Sequence, residues 1–179
     1  MVLTQNANVE DRGQNFEPTM AILKNIFVKK RASIDFQFYA KENGYVAIIF
    51  KFVDFFNYYI FEIGGGDDIT KRYFQLRKKI DGSFSIIKRI SSEEELPNVP
   101  FFGYEKNTWH HVRIILRNDL ILVLASILDT SSLVKILEEK DGTIPSGRVG
   151  FATYKTQAAF SEIQIKPLPF TMRKILIYK

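Results

Sequence analysis

The stretch NTWHHVRIILRNDLILVLAS, residues 107–126, decides the fold of this chain. Apolar side chains recur at every second position in its first half, which is the period of a β-strand and not of a helix. This alternation places Val112, Ile114 and Leu116 on one face of a strand. The pattern therefore predicts a strand over residues 111–116 with one face in the core.

A polar link, residues 117–119, separates this strand from a second run, residues 120–124, that is apolar throughout. Two strand-like runs joined by a few polar residues are typical of a β-hairpin, and Asn and Asp tolerate the backbone angles of its turn. A run without alternation indicates that both faces are covered. We therefore predict a hairpin that lies in the interior of a β-sheet.

The chain has one tryptophan, Trp109, at the start of this hairpin. Large aromatic side chains at such positions usually pack, and a buried indole N–H usually bonds to a carbonyl. We expect the Trp109 ring to close one end of the core. Stacking of an exposed indole on a sugar is the alternative.

Composition fits one domain without cross-links. The chain has 179 residues, 16 Phe, 8 Tyr and no Cys, so the core is aromatic and neither a disulfide nor a thiolate metal site is expected. The net charge of +5 is mild and does not by itself indicate a nucleic-acid partner. No signal peptide is visible, and the longest apolar run, residues 120–128, is too short for a membrane span.

Further strand patterns cover most of the chain, separated by Gly, Pro, Asn and Asp turns. Residues 19–30 suit either a short helix or an edge strand, and residues 131–139 suit either strand or helix. The pattern predicts ten to thirteen short strands in an all-β, antiparallel two-sheet sandwich. We divide the chain into a flexible N-terminal arm over residues 1–15, a β-sandwich domain over residues 16–170, and a C-terminal strand or tail over residues 171–179. The other strand patterns lie at residues 33–39, 45–52, 58–63, 73–80, 84–90, 148–154 and 158–166.

Four segments, in this order, resemble concanavalin A-like jelly rolls, and in particular laminin G-like and thrombospondin C-terminal-like domains. The resemblance implies a jelly-roll sandwich over residues 33–168, an extracellular or cell-surface location, and calcium at a loop rim. The chain departs from that pattern, because it has no cysteine near its C-terminus and no clear calcium motif; the absence of cysteine also allows an intracellular location. The four segments are NYYIFEI (57–63), KIDGSF (79–84), NTWHHVRIIL (107–116) and GRVGFATYKTQAAFSEIQIKPL (147–168).

Within the resemblance, Phe160, Ile163 and Ile165 are expected to point into the core. The fold itself does not imply one function, because it hosts lectins, adhesion modules, glycosidases and interaction domains.

No catalytic constellation is visible. Glycosidases of this fold resemble one another in a strand with three acidic residues at alternating positions, and this chain has no such strand. The contiguous acids of residues 93–95 cannot share one face, and we interpret them as a solvated turn. His110 and His111 are neighbours on a strand, so they point to opposite faces and do not predict a zinc site.

Two polar features suggest ligands. Asp67 and Asp68 follow three glycines and offer oxygens that calcium prefers, although acidic residues at such places are often only turn formers. If the strands flanking the turn at residues 81–82 pair, the basic clusters at residues 77–79 and 88–89 become neighbours. They would then form either a patch for a sulfated or phosphate-rich polymer or an ordinary solvated face.

These observations favour a non-catalytic interaction module that recognises a protein partner within a larger protein or complex. The alternative is a lectin-like carbohydrate-binding domain, with or without calcium; an enzyme acting on glycans would need two carboxylates facing each other in a cleft. No cofactor is expected other than this calcium. The candidate binding residues are the aromatic Tyr39, Tyr45, Phe55, Phe56 and Tyr104, and the basic Arg77, Lys79 and Lys88.

Overall fold

Two antiparallel β-sheets of six strands each face one another across an aromatic core. The computed structural model describes residues 3–5, 18–96, 99, 102–127 and 132–169. In these ranges the chain forms twelve strands and two single-turn 3-10 helices, Ile69–Lys71 and Glu93–Glu95. The predicted all-β jelly-roll sandwich is confirmed. No helix in these ranges is long and apolar enough to cross a membrane.

Both sheets mix strands from distant parts of the chain. Sheet A has the order β1 (Leu3–Gln5), β12 (Ala158–Pro167), β3 (Arg31–Ala40), β8 (Trp109–Arg117), β9 (Leu120–Ile127) and β10 (Val134–Lys140). Sheet B has the order β2 (Thr19–Val28), β11 (Gly147–Tyr154), β4 (Gly44–Asp54), β5 (Asn57–Gly65), β6 (Tyr73–Ile80) and β7 (Ser83–Ile90).

The hairpin that decides the fold is present as β8 and β9. Its register runs from His110 opposite Ile127 to Arg117 opposite Leu120, and both strands lie inside sheet A. Val112, Ile114 and Leu116 are fully buried between the sheets. The predicted interior hairpin is therefore confirmed.

The expectation for Trp109 is wrong. Its ring lies on the outer face of sheet A beside Tyr39, with ring centroids 5.6 Å apart. Alternation along β8 sends His110 inward instead, where the imidazole stacks on Phe38 at 5.0 Å and is 2% exposed. Burial lowers the pKa of His110 to about 4, so the ring is neutral at pH 7. His111 points outward, so the two histidines do face opposite ways.

Aromatic rings fill the space between the sheets. Phe151 of sheet B packs on Phe160 and Phe36 of sheet A, with centroids 4.6 and 5.3 Å apart. A bulge near Glu162, whose φ is +50°, shifts the alternation of β12 by one residue. Ile163 then packs against the same core as Phe160, although an odd spacing in a regular strand would place them on opposite faces.

The two ambiguous segments are both strands. Residues 19–28 form β2, an edge strand of sheet B, and residues 134–140 form β10. Leu3–Gln5 lies within the predicted arm and pairs with β12 as β1. Residues 171–179 lie outside the described residues, so the predicted C-terminal strand or tail stays a prediction.

Lys51 is a buried amine at a bulge in β4. It is 0% exposed, has φ +50°, and its Nζ has no hydrogen-bond partner among the described residues. The ammonium lies 5.4 Å from the centroid of the Tyr59 ring, which offers a cation–π contact only. Burial lowers the pKa of Lys51, against the opposing influence of Asp141 and Asp119. The folded state therefore disfavours the charged amine.

Replacing Lys51 with methionine should stabilise the protein at neutral pH by about 1–2 kcal/mol, because a desolvated ammonium is replaced by an apolar chain of similar length. The lysine pKa is lower in the folded than in the unfolded state, so the cost is present at neutral pH and disappears as pH rises towards about 10.4, the ordinary lysine value. Urea unfolding of wild type and Lys51→Met at pH 7 and 10 measures both effects. If the difference in unfolding free energy between the two proteins is as large at pH 10 as at pH 7, this account is wrong.

Candidate functional site

The outer face of sheet B, away from the core, carries the densest group of polar and aromatic side chains. Strand register arranges it in rows that cross β11, β4, β5, β6 and β7. An aromatic row is Tyr154, Tyr45, Gly64 and Tyr73; a polar row is Ala152, Ala47, Glu62, Gln75 and Arg89. The next two rows are Gly150, Ile49, Ile60, Arg77 and Ile86, and then Arg148, Phe52, Tyr58, Lys79 and Phe84.

Glycine at position 64 makes room for one ring of the aromatic row. A Cβ at Gly64 would lie 2.3 Å from the Tyr73 ring, so any other residue there would displace the ring. On the other side of Gly64, Tyr45 stacks on Tyr154 with centroids 5.2 Å apart. The row therefore carries three tyrosines around a strand position without a side chain.

A connected set of side chains, which we name the Glu62 network, occupies the middle of the face. Glu62 Oε2 accepts from Gln75 Nε2 at 2.9 Å, and Glu62 Oε1 accepts from Arg77 Nη2. Gln75 Oε1 in turn accepts from Arg89 Nη1 at 2.8 Å, and the Arg89 guanidinium lies over the Tyr73 ring at 4.5 Å. The network consists of Glu62, Gln75, Arg77 and Arg89, and each member orients the next.

Burial shapes the electrostatics of this face. Glu62 is 1% exposed, and desolvation raises the pKa of its carboxyl, although Arg77 and Gln75 favour the carboxylate. Burial also raises the pKa of the Tyr45 and Tyr73 hydroxyls, with the Glu62 charge adding to the effect. Both phenols are therefore protonated at physiological pH. Neither hydroxyl has a hydrogen-bond partner within the described part of the chain, so both can donate to and accept from a ligand.

Apolar side chains support the network from below and along the strands. Ala47, Ile49, Ile60 and Ala152 are almost fully buried on this outer face, as members of a second cluster separate from the main core. Since they lie on the outward side of the sheet, the side chains of the face pack tightly on one another. This packing fixes the polar groups in place.

Two of the predicted basic residues belong to this face. Arg77 and Lys79 project outward from β6, and their cations lie 4.3 and 5.2 Å from the centroid of the Phe84 ring. The strands of the two basic clusters pair as predicted, with Leu76 opposite Lys88 and Gln75 opposite Arg89. Lys88 does not share the face of Arg89, because its partner Leu76 points into the core. Lys88 is exposed.

Lys78, between these two residues, points the other way. Its Nζ bonds to Asp141 Oδ2 at 2.7 Å and to Thr143. Burial alone would raise the pKa of Asp141, but hydrogen bonds from Lys78, Tyr59 and Thr143 outweigh it and hold that pKa well below its ordinary value. Lys78 is therefore part of an ion pair away from the candidate site.

The predicted aromatic candidates separate into different places. Tyr45 is in the aromatic row, whereas Tyr39 lies on the outer face of sheet A and donates to Asn107 at 3.0 Å. Phe55 and Phe56 form the tip of the β4–β5 turn and are 59% and 61% exposed. These positions do not meet in one site.

Tyr104 is not a surface residue, and the expectation for it is wrong. The side chain is fully buried, and its ring lies where a Cβ on Gly65 would clash at 2.3 Å. The hydroxyl donates to the Glu42 carbonyl at 2.7 Å, and burial raises the pKa of Tyr104 to about 12. A proline-rich loop before Tyr104 gave no alternation from which its direction could be predicted.

The two calcium candidates have other partners. Asp67 pairs with Lys106, and Asp68 accepts from Thr70 and pairs with Lys71 at 3.0 Å. In the described ranges, no three His, Asp or Glu side chains gather as a metal site would require. Calcium binding stays a prediction, and these contacts do not favour it.

The four rows on sheet B contain a single carboxylate, Glu62, and both its oxygens are bonded to neighbours. A second polar cluster lies on the outer face of sheet A, where Asp35 accepts from Ser33 at 2.7 Å and from Arg113 at 2.5 Å and lies 3.4 Å from His111. It too has one carboxylate. Neither described face brings together the two carboxylates that glycoside hydrolysis requires.

Sequence reasoning did not identify Glu62, Gln75 or Tyr73 as site residues, and it named Arg89 only as part of the basic cluster at residues 88–89. One signal was available: Glu62 is the lone acid in an apolar strand, NYYIFEI, and a charge in such a run needs partners. The hairpin across residues 81–82 was predicted, but regular pairing from that turn places Gln75 opposite Lys88. A register shift between Leu76 and Arg77 brings Arg89 opposite Gln75 instead. This shift and the pairing of β5 with β6 were the missing steps.

No family model matches the sequence, and no curated protein matches it either. Solved structures do match the fold. The carbohydrate binding module CBM66 from Bacillus subtilis aligns over 92% of this chain and 94% of its own, with TM-score 0.66 and 14% identity. Galectin-Ib from Xenopus laevis aligns over 83% of this chain and 100% of its own, with TM-score 0.57 and 11% identity. The GH43 BlXynB protein from Bacillus licheniformis aligns over 78% of this chain but only 28% of its own, with TM-score 0.55 and 9% identity.

These likenesses agree with a concanavalin A-like jelly-roll sandwich fold. At such identities they establish the fold alone. The narrower laminin G-like resemblance is not confirmed by them.

A double-mutant cycle tests whether the Tyr73 ring packs on Gly64. Gly64→Ala alone should cost about 1–3 kcal/mol of unfolding free energy, because the new methyl group meets the ring. In a Tyr73→Ala background the same change should cost less than about 0.5 kcal/mol, since the ring is gone. Chemical unfolding of the four proteins measures the coupling. If Gly64→Ala lowers the unfolding free energy equally in both backgrounds, the ring does not pack on Gly64.

Proposed function

We propose that this chain is a non-catalytic carbohydrate-binding module whose site is the outer face of sheet B. The observation that carries the proposal is the Glu62 network, a buried, mutually oriented set of amide, carboxylate and guanidinium groups beside two tyrosine hydroxyls with no described partner. Sugars offer hydroxyls that both donate and accept, and such a set matches them. The fold likeness to a carbohydrate binding module and a galectin supports the same conclusion.

The arrangement suits binding better than bond cleavage. Fixed polar groups on a packed surface provide orientation and specificity at low entropic cost. Glu62 is 1% exposed, and its two oxygens accept from Gln75 and Arg77. It therefore holds these two side chains in place and is not placed to transfer a proton. This is the reason for assigning recognition and not hydrolysis to the face.

A glycan array followed by calorimetry on the best ligand tests the proposal. Each glycan is assayed with calcium and with chelator, because calcium assistance is part of the untested expectation. Binding to a defined set of glycans, without release of new reducing ends, is the expected outcome. An array without signal under both conditions would remove the proposal.

A matched pair of tyrosine variants locates the site. Tyr73→Phe removes a hydroxyl next to the Glu62 network and should weaken glycan binding about 5- to 10-fold, the usual effect of one hydrogen bond. Tyr39→Phe makes the same chemical change on sheet A and should leave glycan affinity unchanged within about 2-fold. Calorimetric titration of both variants gives the comparison. Equal losses, or no loss for Tyr73→Phe, would place the site elsewhere.

Protein recognition, the leading hypothesis from the sequence, remains a second candidate because of exposed apolar side chains at the β4–β5 turn and on β7, where two of them lie in rows of the sheet B face. Val53, Phe55 and Phe56 at the β4–β5 turn and Phe84 and Ile86 on β7 are exposed large apolar side chains. Such groups occur at protein-binding surfaces. A Phe55→Ser/Phe56→Ser double variant that loses a copurified protein but keeps glycan binding would support this role in addition to the first.

A further inference from the structure

We propose that the ligand of the sheet B face carries an anionic group, a sugar carboxylate or sulfate, and that Arg89 binds it. This inference rests on the proposed carbohydrate-binding function and specifies the class of glycan. It follows from the charge of the face and from how Arg89 is held.

The face is strongly cationic for its size. Its four rows carry Arg77, Lys79, Arg89 and Arg148 against one carboxylate, Glu62. That carboxylate pairs with Arg77 and not with Arg89. A neutral glycan needs no such excess, whereas an anionic one is attracted by it and gains affinity from it.

Arg89 is fixed in direction and keeps donors for a ligand. Its Nη1 donates to Gln75 Oε1 at 2.8 Å, and its guanidinium rests on the Tyr73 ring at 4.5 Å. Gln75 is itself fixed by Glu62 at 2.9 Å. No carboxylate contacts Arg89 among the described residues, and the residue is exposed on β7. A guanidinium held at one nitrogen presents its remaining N–H groups as a planar fork, which matches a carboxylate or sulfate.

The other cations of this face make different contacts. Lys79 is buried between the Tyr58 and Phe84 rings, at 5.7 and 5.2 Å from their centroids. Arg77 is committed to Glu62 and to Phe84, at 4.3 Å from that ring centroid. The Arg148 guanidinium lies 5.1 Å from the Phe52 ring centroid, and no described side chain holds it by a hydrogen bond. Among the described cations of this face, Arg89 is therefore the exposed one that a side-chain hydrogen bond orients and that has no carboxylate partner.

Two arms of one binding experiment identify the anion. Polygalacturonate is compared with its methyl-esterified form, and heparin oligosaccharides are compared with desulfated ones, each by calorimetry at low and at moderate salt. The anionic member of at least one pair should bind at least about 10-fold more tightly than its neutral counterpart, with an advantage that shrinks as salt rises. A single-stranded oligonucleotide of similar charge is included. It should bind at least about 10-fold more weakly than the anionic glycan.

Variants assign the effect to one side chain. Arg89→Gln should lower affinity for the anionic glycan about 10-fold or more and should leave the neutral counterpart within about 2-fold. Lys88→Gln removes the same charge from the adjacent position and should cost less than about 3-fold. Arg89→Lys, which keeps the charge without the fork, should fall between wild type and Arg89→Gln. Thermal unfolding confirms that each variant is folded.

The outcomes separate this inference from the function it rests on. Glycan binding without preference for the anionic members overturns the inference and leaves the carbohydrate-binding proposal intact. Equal losses in Lys88→Gln and Arg89→Gln also overturn it, because general charge then explains the affinity. Oligonucleotide binding as tight as glycan binding overturns the inference and indicates a surface that binds phosphate groups. Absence of glycan binding in all arms removes the carbohydrate-binding proposal together with the inference.

Discussion

The aromatic contact between the two sheets is the interaction on which the rest of the structure depends. Phe36, Phe151 and Phe160 join the layers, and burial of such rings is the main free-energy gain available to a chain without disulfides or a described metal site. Each strand must then use every second residue for this contact. The remaining residues of the same strands are committed by geometry to the outer faces, and the candidate site is made from them.

Glu62 illustrates how the outer face is constrained. It lies between Phe61 and Ile63, which both belong to the core, so the acid must point outward. The apolar floor around it then excludes water and makes an unpaired carboxylate costly. Gln75 and Arg77 on the next strand offset part of that cost, and Arg89 completes the chain of contacts. The same burial that demands these partners also fixes their positions.

Much of the fold was predictable because it depends on local patterns. The period of two in residues 111–116 gave the inward face of β8, and the Asp81-Gly82 turn gave the β6–β7 hairpin. Alternation along residues 73–80 also separates the two faces of β6, and Gln75 and Arg77 share the outward face. Extending that alternation two residues back would have placed Trp109 outside and His110 inside, where the structure has them.

The candidate site was less predictable because it depends on pairing between distant strands. Tyr45, Glu62 and Tyr73 come together only when β4, β5 and β6 are aligned in register, and no single segment encodes that alignment. The expectation for Tyr104 was wrong for a related reason. Its burial depends on the space that Gly65 leaves across an isolated bridge. Bulges at Lys51 and Glu162 change facing within a strand, and nothing in the local pattern marks them.

The position of the β6–β7 hairpin at the border of sheet B has an evolutionary consequence. This one hairpin supplies Gln75, Arg77 and Arg89, and its outward residues take no part in the contact between the layers. Substitutions there can alter the chemistry of the candidate site while the body of the domain stays unchanged. A library confined to the outward positions of this hairpin would therefore be a compact starting point for engineering new recognition on the same scaffold.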